Sequence, residues 1–303
     1  MSAAPRNASR LFTVVVASLC NDARSDLLKR ACDSVRAMAG DMDYSLIVVA
    51  NGPGVSPSVL SWLTSRADVR VIRLRSGSHP LARRIGAEMA ESEFIAFLDD
   101  DDELIANTLA TKIAHFREHP DHDVLVTDGL RISESAETKI FPAPESRSAD
   151  FVETLMRAGW GAGALTLRAQ KIDLAVFDPL LRHMEWTLTT LELANRHKFG
   201  YLDAPMYRYY ETTPNSLSKA AAHNLAAPDV WRRLSRTYAG TRHEDAVRRR
   251  YGNMCHNASQ ECSNQGRMSE AWHLHFESMR APGGLTYMPF GLKLAVAWLR
   301  RHI

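Results

Sequence analysis

Four aspartates stand in a row in the segment FLDDDDEL, Phe97–Leu104, directly behind an apolar run. Like charges about 4 Å apart repel by on the order of 1 kcal/mol even in water, and by more beside a low-dielectric surface. A chain that keeps such a cluster must bring a cation to it. Hard, oxygen-only ligands suit Mg²⁺ or Mn²⁺, shared with the phosphates of a substrate. Part of the run has a simpler reading. Asp102 and Glu103 precede a helix-like stretch that starts at Leu104, and acids favour the positive end of a helix dipole. That leaves Asp99 and Asp101 unexplained, and metal–phosphate chemistry is the expectation for them. A further carboxylate, Glu185, opens another helix-like stretch, with Arg182 and His183 shortly before it and Trp186 after it. It reads either as an ordinary first-turn acid or as a base for an attacking hydroxyl.

These groups need a scaffold that brings them together. Short apolar runs lie at Leu11–Ser18, Tyr44–Ala50, Val69–Leu74, Glu93–Leu98 and Asp123–Asp128. Helix-like stretches separate them at Asp22–Met38, Ser56–Ser65, His79–Ala90 and Leu104–His119. Alternation of this kind predicts βαβ units with a buried, mainly parallel sheet flanked by helices, a Rossmann-like α/β fold. In such sheets ligands bind outside the carboxyl ends of the strands. A mixed segment follows, with strands expected at Gly163–Arg168 and Tyr201–Tyr210 around a helix at Glu185–His197. A helical extension then runs through Pro228–Tyr238, Glu244–Ser263, Met268–Arg280 and Phe290–His302.

Composition narrows the class. The 303 residues carry 37 Lys+Arg against 35 Asp+Glu, a net charge of +2, which argues against a dedicated nucleic-acid binder. No apolar run is long enough to span a bilayer, and MSAAPRNASR lacks a signal-peptide core, so a cytoplasmic location is expected. Four cysteines form no C-x-x-C pair. Cys255, His256 and Cys262 admit a zinc reading, but buried helix residues fit their spacing better. The turn after the first strand, Ala17–Asn21, holds no glycine, which excludes the dinucleotide fingerprint, and no P-loop occurs. A D-x-D phosphatase would carry its nucleophilic Asp after the first strand, whereas here the motif follows the fourth.

Four further segments stand in order across about residues 11–218: TVVVASLCNDARSDLLKRACDSV, IVVANGPG, HPLARRIGAEMAESEFIAFLDDDD and FDPLLRHMEWTLTTLELANRHKFGYLDAPMYRYYETTPNSLS. Together they resemble the inverting nucleotide-sugar glycosyltransferases of family 2, which have the GT-A fold. The resemblance implies a GT-A catalytic domain over 1–220, with a donor half at about 11–128 and an acceptor half at 129–220. A C-terminal helical region over 221–303 completes the chain. It further implies that Asp99 contacts the donor ribose, that Asp101 holds Mn²⁺ or Mg²⁺ on the diphosphate, and that Glu185 is the catalytic base. Arg83 is expected beside the donor or the aspartates. Ser18, Asn21 and Asp100 fall in the nucleotide-sugar-binding set. Asn51, with Ala50, replaces an acidic pair that reads the nucleobase in relatives, which leaves the nucleotide open. Met184 and Arg84 also depart from the family pattern. Glu211 is the nearest substitute for a metal-binding His found in this region of relatives.

The implied partners are a nucleotide diphosphate sugar and a saccharide, lipid-linked or other hydroxyl acceptor, with no nucleic acid. Trp160, between glycines in GWGAG, reads as a sugar-stacking residue, and aromatic residues serve at least as often in cores. Arg73, Arg75 and Arg84 read either as a positive rim for the diphosphate or as solvated arginines. Phe290–Ile303 is amphipathic and basic, suited either to packing as an ordinary helix or to peripheral membrane contact. Two alternatives remain at this level: a degenerate fold that binds nucleotide sugars without transfer, and the D-x-D phosphatase.

Overall fold

Val14, Val15 and Val16 are fully buried, as expected where helices cover both faces of a parallel sheet. They belong to β1 (Arg10–Ser18), which runs parallel to β2 (Tyr44–Asn51) on one side and to β4 (Ser92–Asp99) on the other. β3 (Val69–Leu74) extends the sheet beyond β2, again in parallel. The structure is a computed structural model that describes residues 10–39, 42–75, 77–141, 150–157, 162–213 and 221–302. Trp160 lies outside them.

The sheet continues past β4 in mixed sense. β8 (Leu165–Arg168) pairs antiparallel with both β4 and β6 (Val124–Ile132), and β9 (Phe199–Tyr210) runs parallel to β6. The order is β3-β2-β1-β4-β8-β6-β9-β5, where β5 is Glu103–Leu104 and β7 (Glu137–Lys139) pairs with β6. Strand order reverses between β1 and β4. The crevice at their carboxyl ends is therefore the topological switch point at which α/β sheets bind ligands.

Helices α1 (Ser25–Ala39), α2 (Pro57–Thr64), α3 (His79–Glu88) and α4 (Thr108–Glu118) connect the first strands. α5 (Phe151–Arg157) and α6 (Glu185–Arg196) follow. Gly86 lets α3 lie close against the sheet. A Cβ there would overlap Val15 Cγ1 and come within 3.2 Å of Val49 Cγ2. The helix expected from Leu104 instead begins at Thr108, because Glu103 and Leu104 pair with Arg208 and Tyr207 of β9. Asp102 and Glu103 are therefore not helix-dipole acids. The stretch expected to be helical from Asp22 opens with a 3₁₀ turn, Asp22–Arg24, capped by the Asn21 side chain.

The chain divides into two compact units at Thr213/Pro214. In the second, α7 (Ala221–Thr237), α8 (Glu244–Asn264), α9 (Met268–Arg280) and α10 (Phe290–His302) form a helical group. α7 runs through Pro228, where the sequence had marked a helix start. Cys262, Met268, Ala271 and Leu294 form a core there. Cys255 and Cys262 are free thiols buried on α8, as the buried-helix reading expected.

Lys112 on α4 is fully buried and donates to the Gly163 carbonyl at 3.0 Å. Desolvation pushes its ammonium down to about 7. The unfolded chain, with an ordinary lysine, then binds more protons between pH 7 and about 10, so this group adds stability as pH rises through that window. The urea stability of the native chain should climb relative to Lys112→Met by about 3 kcal/mol between pH 7 and 9.5. A constant difference would show that Lys112 does not titrate near neutrality.

Candidate active site

Register brings the first chemical groups together. Ala17 of β1 lies opposite Asp99 of β4, and Ser18 lies opposite Ala50 of β2. The ends of three neighbouring strands thus deliver Ser18, Asn51 and Asp99 to the switch point, with Asp100, Asp101 and Asp102 on the turn that follows.

Arg83 is the central cation. It lies on α3, is 5% exposed, and holds two carboxylates at once. Nη1 donates to Glu185 Oε1 at 2.8 Å, and Nη2 donates to Asp99 Oδ1 at 2.8 Å. Its guanidinium also stacks over the Trp186 ring at 4.3 Å. Burial opposes its charge, but Asp99 and Glu185 outweigh that penalty and hold its proton more tightly than usual. Trp186 itself packs among Phe97 and Phe177, so it is a core residue that forms a floor beneath Arg83.

A second guanidinium serves the neighbouring acids. Arg24 binds Asp100 through Nε, at 3.0 Å to Oδ1 and 2.9 Å to Oδ2, and its Nη2 reaches Asp100 and, at 3.2 Å, Asp101 Oδ2. Ser18 Oγ donates to Asp100 Oδ2 at 2.5 Å and accepts the Cys20 N–H at 3.0 Å. Asn21 Oδ1 accepts the Arg24 N–H at 3.1 Å. Ser18 and Asn21 therefore help seat Arg24 on Asp100. A third guanidinium, Arg30 of α1, donates to the Asp101 carbonyl at 2.7 Å, pairs with Glu103 at 2.6 Å and stacks over Tyr210 at 4.1 Å. Arg24 and Arg30 carry no sequence signal beyond their type, because their partners lie more than seventy positions away.

Two aspartates remain less well satisfied. Burial, then the charge of Asp99, raises the Asp101 carboxyl above its ordinary range, against the pull of Arg24. Asp102 is 1% exposed, and its Oδ2 has no hydrogen-bond partner. Its carboxyl is raised further, by burial and then by Asp99 and Asp101, with a weak counterpull from the Tyr210 N–H. Asp101 fits a divalent cation by chemistry: it offers hard oxygens, its side chain is 18% exposed, and its neighbours crowd it with negative charge. An Mg²⁺-type ion takes one or two carboxylates and completes its shell with phosphate and water. Among the described residues no all-protein cage exists. Glu211 follows β9 with its N–H on the Ile132 carbonyl at 3.0 Å and does not form such a group with Asp101.

Asn51 is fully buried, and neither its amide oxygen nor its amide nitrogen has a partner. At the carboxyl end of β2 this amide thus holds an unsatisfied donor group and an unsatisfied acceptor. His79, missed in the sequence, sits one turn before Arg83 on the same face of α3. Burial lowers its basicity, then Arg83 does, against the charges of Asp99 and Glu185. Backbone strain frames the crevice: Cys20 and Met184 adopt positive φ, at 48° and 57°. Met184 thereby turns the chain into α6 and aims Glu185 at Arg83. Arg73 and Arg75 are exposed at the end of β3, and Arg84 pairs with Glu88 at 2.8 Å.

Residues 14–158 match the model of glycosyl transferase family 2. That match covers just under half of the chain. Its fold is similar to residues 1–349 of S. aureus TarS in complex with UDP-GlcNAc, with a TM-score of 0.65 and 15% identity over 90% of this chain and 82% of that one. TarS 1–349 alone gives a TM-score of 0.60 at 14% identity, over 89% and 80% of the two chains. Another S. aureus TarS structure gives 0.52 at 15% identity, over 88% of this chain and 52% of that one. These likenesses establish the GT-A fold. No curated protein matches the chain in sequence. The family 2 match includes Ser18, Asn51, Arg83 and the aspartate run, while Glu185 lies beyond it and is joined to it through Arg83.

Arg83→Met strips two carboxylates of a buried partner and is expected to destabilise the fold by about 3 kcal/mol. Arg83→Lys keeps the charge without the two-pronged geometry and should recover only part of that loss. Urea denaturation at pH 7 checks both, and an unchanged midpoint for Arg83→Met would refute the clamp.

Proposed function

We propose that the chain transfers a sugar from a nucleoside diphosphate sugar to an acceptor hydroxyl in glycan or glycoconjugate assembly, with inversion at the anomeric carbon. The observation that carries this reading is the bridge from Asp99 through Arg83 to Glu185, side chains separated by 16 and 102 positions. It joins the carboxyl end of a family 2 donor strand to a carboxylate able to serve as a base. The complex of TarS with UDP-GlcNAc supports a nucleotide sugar as the donor class.

Each residue then has a task. The amide of Asn51 reads the nucleobase edge, and Asp99, oriented by Arg83, takes the ribose hydroxyls. Ser18 and Asn21 shape the first loop against the nucleotide by holding Arg24 on Asp100. Asp101, with Glu211 as a second candidate ligand, would hold Mn²⁺ or Mg²⁺, which supplies Lewis-acid stabilisation of the leaving diphosphate. Glu185 accepts the proton of the acceptor hydroxyl as it attacks from the face opposite the diphosphate. Arg83 keeps Glu185 pointed at that face. Trp160 remains a candidate for stacking on the sugar.

Incubation with Mn²⁺ and a panel of nucleotide sugars and acceptors should yield transfer, or slow donor hydrolysis, that Asp101→Asn removes. Glu185→Gln should lower turnover by about 10²–10⁴-fold while the thermal shift given by the nucleoside diphosphate stays. Nucleotide binding with no turnover by any donor would support a degenerate sugar-binding protein instead. A product of retained anomeric configuration would refute inversion, and a phospho-enzyme at Asp99 would favour the phosphatase.

A further inference from the structure

The second unit carries a surface that its own core does not use. Of the ten large apolar side chains that stand exposed among the described residues, seven lie between Phe276 and Leu299. Five of them repeat at helical spacing: Leu285, Met288, Leu292, Val296 and Leu299, each between 47% and 74% exposed. On α10 the stripe Leu292, Val296 and Leu299 follows i, i+4, i+7, so these residues share one face. Leu294 points the other way and is fully buried in the core formed with Cys262, Met268 and Ala271. The helix is thus already anchored by one face, and the opposite face is apolar and bare.

Charge selects the occupant. From Ser278 to Ile303 the sequence contains no Asp or Glu, while it carries Arg280, Lys293, Arg300 and Arg301. Lys293 is exposed beside the apolar stripe. This segment's surplus of positive charge exceeds the net charge of +2 of the whole chain, and no acid offsets it locally. An apolar helix face bordered by cations, with no anion, matches a bilayer surface of acidic lipids. The apolar side chains enter the acyl boundary, and the long basic side chains extend to the phosphates. No described helix is long and apolar enough to cross a membrane, so the contact is peripheral.

We propose that α10 and the turn before it, Leu285–Leu299, dock the protein flat on an anionic lipid surface. Flotation of the full chain with vesicles of equal parts phosphatidylglycerol and phosphatidylcholine tests this, with no nucleotide sugar or metal present. The outcome is thereby separate from the transferase reading. The intact chain should float with these vesicles and lose about tenfold or more in recovery on pure phosphatidylcholine or in about 0.5 M NaCl. Leu292→Glu with Val296→Glu should abolish flotation while leaving the circular dichroism and melting temperature in place, since both side chains are exposed. Lys293→Glu with Arg300→Glu should weaken it on anionic vesicles without changing the fold. Absence of flotation, or equal recovery of the Leu292→Glu/Val296→Glu variant, overturns the proposal. So does a self-associated chain, seen by light scattering, that this variant dissociates with no effect on lipid binding, because the face would then belong to a second copy.

Discussion

The carboxyl end of β4 gathers more negative charge than one corner of a protein can hold unaided, and the fold answers with guanidinium groups from three elements. Arg83 comes from α3, Arg24 from the turn after β1, and Arg30 from α1. All three are arginines, and each uses a fork to touch two partners, which a point-charge ammonium would do poorly. Pairs of this kind add little net stability, because desolvation offsets most of their attraction, but they are costly to break. Their main effect is on geometry. Satisfying the acids obliges α1, α3 and the start of α6 to meet at one crevice, the place where the strand order of the sheet already reverses.

The division of labour among the aspartates follows from that arrangement. Asp99 and Asp100 each have an arginine, and Asp100 is the more enclosed of the two. Asp101 shares Arg24 and keeps part of its surface open, and Asp102 is enclosed with an oxygen unpaired. Four residues of identical type thus acquire different environments within a single turn: Asp99 meets Arg83, Asp100 and Asp101 meet Arg24, and Asp102 is enclosed.

Much of this was legible in the sequence. The apolar runs placed the first strands within a residue or two, and the family resemblance put Arg83 beside the aspartates, where it meets Asp99. What escaped was long-range pairing. Periodicity could not tell that Glu103 and Leu104 would join β9, since a two-residue strand has no pattern of its own. Nor could it show Arg24 and Arg30 facing inward on an otherwise polar stretch, or the burial of His79, whose environment depends on partners from α3, β4 and α6. The antiparallel insertion of β8 between β4 and β6 was equally hidden, because a four-residue apolar run carries no direction.

Gly86 deserves a last consequence. With only a hydrogen facing Val15, it fixes how far the α3 axis stands from the sheet, and Arg83 is placed by that same helix. The missing methyl group works as a gauge: main-chain spacing, more than side-chain reach, sets where the positive charge falls between Asp99 and Glu185. A residue that meets no substrate therefore calibrates the distance across which the two halves of the crevice must cooperate.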